Sequence, residues 1–252
     1  MHRSYIYCAG STPAIEHAKT ALKRAGFPII SEPSWNTRHL LLDIPSFREH
    51  TILRTGGNAD TLLSSLPKDI VIWGGNFPEE ITTQYHTVDL LKDELYLARN
   101  AAITADCALQ IASPLLRTTW QDSSVLIIGW GRIGKCLSQL LKALGCDVTV
   151  TSRDPKNRAA LISMGFKAVD PQSLCTSDSR YHIIFNTAPN PVICTEDTDR
   201  WKDCIKIDLA SQKGISGDDV IWARGLPGIH APESSGKLIA ETFSRIWKEM
   251  EN

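Results

Sequence analysis

One segment of this chain, V-L-I-I-G-W-G-R-I-G-K-C-L-S-Q-L-L-K-A-L-G-C-D-V-T-V-T-S-R at residues 125–153, confines it to a narrow set of folds. The apolar run at 125–128 has the composition of a strand buried on both faces. It leads directly into Gly129, Gly131 and Gly134 at G-x-G-x-x-G spacing. Cys136, Leu137, Leu140, Leu141 and Leu144 then recur at helical spacing, Gly145 marks the helix end, and Val148 and Val150 alternate with threonines as a second strand. Strand, glycine turn, helix and strand together predict a nucleotide-binding β-α-β unit. The chemistry needs the glycines for a tight turn, for close approach of backbone to a pyrophosphate, and for close packing of helix on strand. The amides of Arg132 and Ile133, between the second and third glycines, lie at the positive helix end that meets the phosphates.

The residues after the second strand bear on which dinucleotide is taken. An NAD site places Asp or Glu near the end of that strand to accept bonds from the ribose hydroxyls, whereas an NADP site offers cations and small hydroxyls to a 2′-phosphate. Here the strand ends on Thr151, Ser152 and Arg153, with Lys156 and Arg158 beyond. Ser152 and Arg153 therefore point to NADP, with NAD as the alternative. Asp154 competes as a ribose ligand, but it precedes Pro155, where Asp commonly starts a turn or caps a helix.

At 252 residues the chain is long enough for one large or two ordinary α/β domains. A formal net charge of −1 without a basic block argues against a nucleic-acid surface. No apolar run approaches membrane-spanning length and the first ten residues do not read as a signal peptide, so a cytoplasmic protein is expected. Seven dispersed cysteines without a C-x-x-C pair read as reduced, buried thiols, and no metal site is expected.

Two lobes are expected. Residues 4–9 read as a strand, 12–25 as a helix opened by Ser11 and Pro13 and closed by Gly26, and 27–30 as a second strand. Further strands are expected at 40–44 and 70–73. The opening turn C-A-G-S-T-P lacks the glycine fingerprint and either holds an anion or caps the helix. A long, largely apolar helical pattern at 88–113 is stopped by Pro114. Strands at 181–186 and 205–209 and a last helix at 234–250 complete the pattern. The expected division is an α/β lobe at 1–116, completed by the helix at 234–252, and a nucleotide-binding domain at 117–233.

T-A-D-C (104–107), the glycine segment, S-M-G-F (163–166), F-N-T-A-P (185–189), I-D-L-A-S (207–211) and G-L-P-G-I-H-A-P-E-S-S-G (225–236) occur in an order that resembles the dipicolinate synthase A-subunit family. The resemblance implies an α/β fold similar to formate/glycerate dehydrogenases. In it, two Rossmann-like lobes with parallel sheets are linked by a long interdomain helix, with a cofactor cleft between them. It also implies oxidation of a dihydrodipicolinate-type precursor to dipicolinate during sporulation, in partnership with a flavoprotein-like B-subunit. Three departures stand out: A-G-S-T-P (9–13) where the family reads G-G-D-x-R, T-A-D-C where it reads T-x-E-G, and His230 with P-E-S-S-G where it carries an aliphatic residue and P-K-T-A-G.

A dicarboxylate substrate needs its anions held, a hydride removed and a proton taken by a base. Asn186, Thr187, Ala188, Asp208 and Ser211, in the loops at the carboxyl ends of two strands, are the remaining cofactor-side candidates, with loop chemistry as the alternative and a structural role favoured for Asp208. Asn100 and Thr104 share a helix face, and Ser234, Ser235 and Gly236 at the start of the last helix form a candidate carboxylate site or simply its cap. His230 is a candidate base by its intrinsic pKa, against a structural histidine, and Asp106 is a candidate polar cleft group. A D-2-hydroxy-acid dehydrogenase, a nucleotide-binding subunit without catalysis, and a homo-oligomeric assembly are further expectations.

Overall fold

A computed structural model describes residues 4–176, 180–190, 201 and 203–251. The chain divides into two compact units, Met1–Asn100 with Pro227–Asn252, and Ala101–Leu226.

The first unit opens with β1 (Tyr5–Cys8), α1 (Pro13–Arg24), β2 (Ile29–Ile30) and β3 (Thr37–Leu41). A short antiparallel hairpin follows, β4 (Phe47–Glu49) with β5 (Ile52–Leu53), then α2 (Ala59–Ser64), β6 (Val71–Gly74), α3 (Glu79–Thr82), β7 (His86–Asp89) and the first turns of α4 (Glu94–Ala112). Its five-stranded sheet has the order β2-β1-β3-β6-β7, parallel throughout. Strand order reverses between β1 and β3, which makes that crevice the topological switch point. Leu40, Leu63, Ile70, Ile72 and Ile81 form the core on one face.

The helices end where their glycines foretell. After α1, Gly26 takes φ +88°, its amide donates to the Lys23 carbonyl and that of Phe27 to Leu22, both at about 3 Å, so the last turn's orphan carbonyls are satisfied.

The second unit contains β8 (Ser124–Ile128), α5 (Arg132–Ala143), β9 (Asp147–Thr151), α6 (Pro155–Ser163), β10 (Lys167–Val169), β11 (Ile183–Asn186), β12 (Ile205–Asp208) and β13 (Val220–Trp222). All six strands are parallel in the order β10-β9-β8-β11-β12-β13, which is the 3-2-1-4-5-6 order of dinucleotide-binding sheets. Its switch point lies between β8 and β11. The inner strands β8 and β11 are buried almost end to end, which explains their unbroken apolar runs.

The chain then passes through α7 (Leu226–His230) into α8 (Pro232–Glu251), which packs on α1. A Cβ on Gly236 would stand 2.4 Å from the Ala14 carbonyl oxygen and 2.5 Å from the His17 Cβ, so only glycine permits this helix crossing. Phe243 and Trp247 of α8 meet Trp73, His39 and Phe27, with the Phe243 and Trp73 ring centres 4.0 Å apart. The Trp73 Nε1–H donates to His39 Nδ1 at 3.0 Å. Burial, reinforced by His86, pushes the His39 pKa down from 6.5 to about 4.

Several elements differ from the sequence expectation. The long helix begins at Glu94 rather than 88, because the Asp93 carboxylate accepts the Tyr96 amide at 2.7 Å as its cap and residues 86–89 pair with β6 instead. The third strand runs Thr37–Leu41, with Asp43 already outside it. The last helix starts two residues earlier than expected, with Pro232 in its first turn.

Candidate dinucleotide-binding site

The site is built at the switch point of the second unit. Gly129 leaves β8 at φ +103°, a conformation that strains any side chain. Its amide donates to the Thr151 hydroxyl at 3.2 Å, tying the turn to β9. A Cβ on Gly134 would lie 2.3 Å from the Gly129 carbonyl oxygen and 3.2 Å from the Thr187 hydroxyl. This glycine therefore exists for close packing of α5 on its own turn. Gly131, the residue before α5, behaves differently: a Cβ there would meet nothing within 4 Å. Space is open over the N-terminal end of a twelve-residue helix whose first internal bond is the one from the Lys135 amide to the Gly131 carbonyl, so the preceding amides of Ile133 and Gly134 have no acceptor within the helix. A cradle of this form fits a pyrophosphate.

Across the switch point, β11 delivers Thr187 beside the turn, where its amide and hydroxyl both donate to the Ile128 carbonyl at 2.8 and 3.0 Å. Asn186 is fully buried; its side-chain amide donates to Asp208 at 2.9 Å and to the Ala188 carbonyl at 3.0 Å, and its oxygen accepts the Ala188 amide. Asp208, also fully buried, accepts from Asn186 and the amides of Ala210, Gly214 and Ile215. Those four donors commit its carboxylate to holding the β11 and β12 loops. Ser211 lies exposed on the loop after β12.

At the other end, β9 is followed by Ser152, which is buried, and Arg153, which is exposed. The guanidinium of Arg153 has no ion pair among the described residues. Asp154 is committed: its carboxylate accepts the Lys156 amide at 2.9 Å and caps α6. Arg158 is committed too, donating to the Ser152 and Arg153 carbonyls and to Asp170.

The other candidates lie elsewhere. Asp106 is on the exposed side of α4, accepting from Gln110 at 2.8 Å, while Thr104, on the same helix, is buried and Asn100 half-buried. Arg99 pairs with Glu241 at 2.5 Å. His230 ends the short helix α7 with an exposed side chain. Because α8 starts at Pro232, Ser235 is already past the open helix end: its amide donates to the Ala231 carbonyl at 3.0 Å, and Gly236 is buried against α1. Only Ser234 remains in the exposed first turn.

Sequence reasoning missed Asp43. It is 3% exposed and accepts from the Ser11 amide at 3.3 Å, the Thr12 amide at 3.1 Å and the Thr12 hydroxyl at 2.5 Å. The opening turn A-G-S-T-P of the first unit thus meets an internal carboxylate. An acid inside the apolar run L-L-L-D-I was the available signal.

Cys8, Cys107, Cys136, Cys146 and Cys204 are free thiols. Burial pushes Cys8, Cys107 and Cys146 up to about 11 and Cys204 to about 12, so these four are poor nucleophiles. Cys194 lies outside the described residues. Among the described residues there is no group of three or more His, Cys, Asp or Glu placed to hold a metal, and no helix is long and apolar enough to cross a membrane.

The sheet order, the glycine turn and the open helix end define a Rossmann-type α/β protein whose second unit has the dinucleotide-binding fold. Residues 100–191 match the NAD binding domain of the D-isomer specific 2-hydroxyacid dehydrogenases. More particularly, the chain is 26% identical over 203 residues to the A subunit of dipicolinate synthase from Bacillus subtilis (strain 168), covering 75% of this chain and 68% of that one. The crystal structure of the A subunit of dipicolinate synthase from Bacillus halodurans superposes with a TM-score of 0.83 at 19% identity, over 96% of this chain and 97% of the other. A transhydrogenase from Sinorhizobium meliloti shares the fold at a TM-score of 0.72 and 13% identity, over 98% and 94% of the two chains. The resemblance drawn from the ordered motifs is borne out.

Proposed function

We propose that the chain is an NADP-linked oxidoreductase subunit of the dipicolinate synthase A type, acting on a small dicarboxylate of the dihydrodipicolinate class. The observation that carries this reading is the open cradle over Gly131, with Arg153 uncommitted at the ribose end while Asp154 caps α6. The nicotinamide, when bound, supplies a hydride acceptor. The chain's own residues do the rest. Gly129 and Gly131 admit backbone to the phosphates, Thr187 holds the turn closed, and the Asn186–Asp208 pair fixes the loop that faces the nicotinamide. Aromatising a dihydro ring removes one hydride and one proton, so a base is needed. His230 and Asp106 are the proposed proton acceptors, and both are exposed to solvent. Asn100, Thr104 and Ser234 are proposed on the substrate side. A flavoprotein-like second subunit, self-association and a cytoplasmic setting complete the proposal.

A specific observation favours a second reading. The first unit's opening turn reads A-G-S-T-P where the family reads G-G-D-x-R, so it lacks that acid and cation and is capped by Asp43 instead, as in a subunit that binds nucleotide without turnover. Fluorescence titration tests the cofactor assignment. NADPH is expected to bind more tightly than NADH, and Arg153→Asp to weaken NADPH by about 1.5–3 kcal/mol, the worth of a charge-assisted bond. Equal wild-type affinities overturn the NADP assignment. Tight NADPH binding with no oxidation of a dihydrodipicolinate-type substrate, even alongside the second subunit, favours the second reading.

A further inference from the structure

Helices α1 and α8, both of the first unit, run in the same direction: Gly236 near the start of α8 packs on Ala14 and His17, while Phe27, just past the end of α1, meets Phe243 and Trp247. Between them lies a trough of about 1210 Å³ that follows α1 from His17 to Ala25 and α8 from Glu233 to Glu249. It exceeds the roughly 1,000 Å³ upper end of small-molecule pockets, and a channel along two helices suits a third.

Glu233, Lys237, Glu241, Arg245 and Glu249 all line this trough, at steps of four residues and with alternating sign. Residues so spaced share one helix face, and the stripe spans about 24 Å. Neighbours along it attract, with Lys237 3.9 Å from Glu241 and Arg245 3.0 Å from Glu249. Support of a lone helix accounts for the alternation but not for the trough's other wall. There α1 contributes His17 and Arg24 and no acid, which favours an occupant that carries carboxylates.

A second α8 meets these demands in a definite register. Laid antiparallel about a two-fold axis at the level between Glu241 and Arg245, it sets Glu241 against Arg245 of the second copy and Lys237 against its Glu249, and the symmetry repeats each pair. An axis at Glu241 itself would oppose like charges throughout, Glu241 on Glu241 and Lys237 on Arg245. An axis between Lys237 and Glu241 also pairs opposites, but Ala240 and Ser244, the short side chains that α8 turns to the trough, flank only the first axis. Charge thus selects the register by repulsion as well as attraction. A face two helices wide, about 20 Å, along the 20 residues of α8, about 30 Å, buries about 1,200 Å² over both copies, the lower limit of a specific interface.

We propose that the trough between α1 and α8 is a self-association surface that takes the α8 helix of a second copy, antiparallel about this two-fold axis, in a weak and reversible dimer. It rests on the self-association proposed above and not on nucleotide chemistry.

Sedimentation velocity of the full-length protein across the micromolar range tests it. A concentration-dependent dimer that weakens with added salt is expected. Lys237→Glu and Glu249→Lys each oppose like charges across the axis and should weaken dimerisation at least about tenfold. Combining them restores the contacts between copies while placing like charges four residues apart within α8, beside Glu241 and Arg245. The double variant should therefore regain the wild-type dimer, whereas a role confined to the helix makes it the worst of the three. Lys237 and Glu249 are 72% and 60% exposed, so melts of the dilute variants should change little and verify folding. A dimer indifferent to Lys237→Glu, or one that the double variant fails to restore, overturns this surface and leaves self-association to another face. A wild type that stays monomeric overturns both, without touching the oxidoreductase reading, which NADPH titration decides.

Discussion

Two glycines three residues apart should respond to substitution in opposite ways. Gly134→Ala places a methyl 2.3 Å from the Gly129 carbonyl oxygen and 3.2 Å from the Thr187 hydroxyl. The oxygen is backbone, anchored by the φ +103° turn and by the bond from the Gly129 amide to Thr151, so it cannot swing aside. Overpacking of this kind costs about 3 kcal/mol at the upper end of its range. Alanine returns at most about 1 kcal/mol of helix propensity in the first turn of α5. A net loss near 2 kcal/mol lowers the melting temperature by roughly 4–8 °C for a chain this long. At Gly131 the backbone is extended at φ −81°, ψ −169°, open to any residue, and a Cβ meets nothing. Gly131→Val should therefore change stability by less than about 1 kcal/mol, the usual scale at such a helix start. Its branched side chain fills the space a pyrophosphate needs, and loss of even one amide–phosphate bond costs about 1.5–3 kcal/mol, tenfold or more in affinity. Thermal melts read the first effect and NADPH fluorescence the second. Wild-type affinity in Gly131→Val, or a wild-type melt in Gly134→Ala, refutes the assignment of one glycine to the ligand and the other to packing.

Removing the Asp43 carboxylate leaves the Ser11 and Thr12 amides without their acceptor, so Asp43→Ala should cost about 2–4 kcal/mol in urea unfolding, with Asp43→Asn recovering part of it. Lys206, 1% exposed in β12, is ion-paired with Asp219; Asp219→Ala should destabilise by up to about 3 kcal/mol, while Lys206→Met with Asp219→Ala should unfold at or above the wild-type denaturant midpoint. His39, with its pKa depressed from 6.5 to about 4, refuses in the folded state a proton that the unfolded chain accepts. Stability is therefore complete above pH 6.5 and falls as pH drops toward 4, by at most about 3 kcal/mol. His39→Gln, which keeps an acceptor for Trp73 but does not titrate, should flatten that slope in melts across the window.

The nucleotide-binding unit was legible in the sequence because its information is local. Strand, turn and helix follow one another within residues 125–151, and each glycine answers to a neighbour a few positions away. The Asp154 cap was legible for the same reason, since Asp followed by Pro is a helix start in itself. What escaped depends on partners far along the chain. β7 is four residues with no sustained alternation and becomes a strand only because β6 offers it an edge. The hairpin of β4 and β5 has five strand residues in all, below what periodicity detects. The start of α8 was misplaced by two residues because Ser234 looked like a cap, whereas Pro232, with its φ already fixed, begins the helix first.

The two units use one topological device to opposite ends. Each is a parallel sheet whose strand order reverses beside its first strand, and each sends a helix of twelve residues away from that point. A helix start so placed favours a negative charge. In the second unit the space over Gly131 is open among the described residues, and Asp208 is turned inward on four donors. In the first unit the chain brings its own anion, because β3 ends two residues before Asp43 and the loop folds the carboxylate back over the amides of Ser11 and Thr12. An internal carboxylate 3% exposed does not yield to a ligand at ordinary concentrations, since displacing it would strand a buried charge.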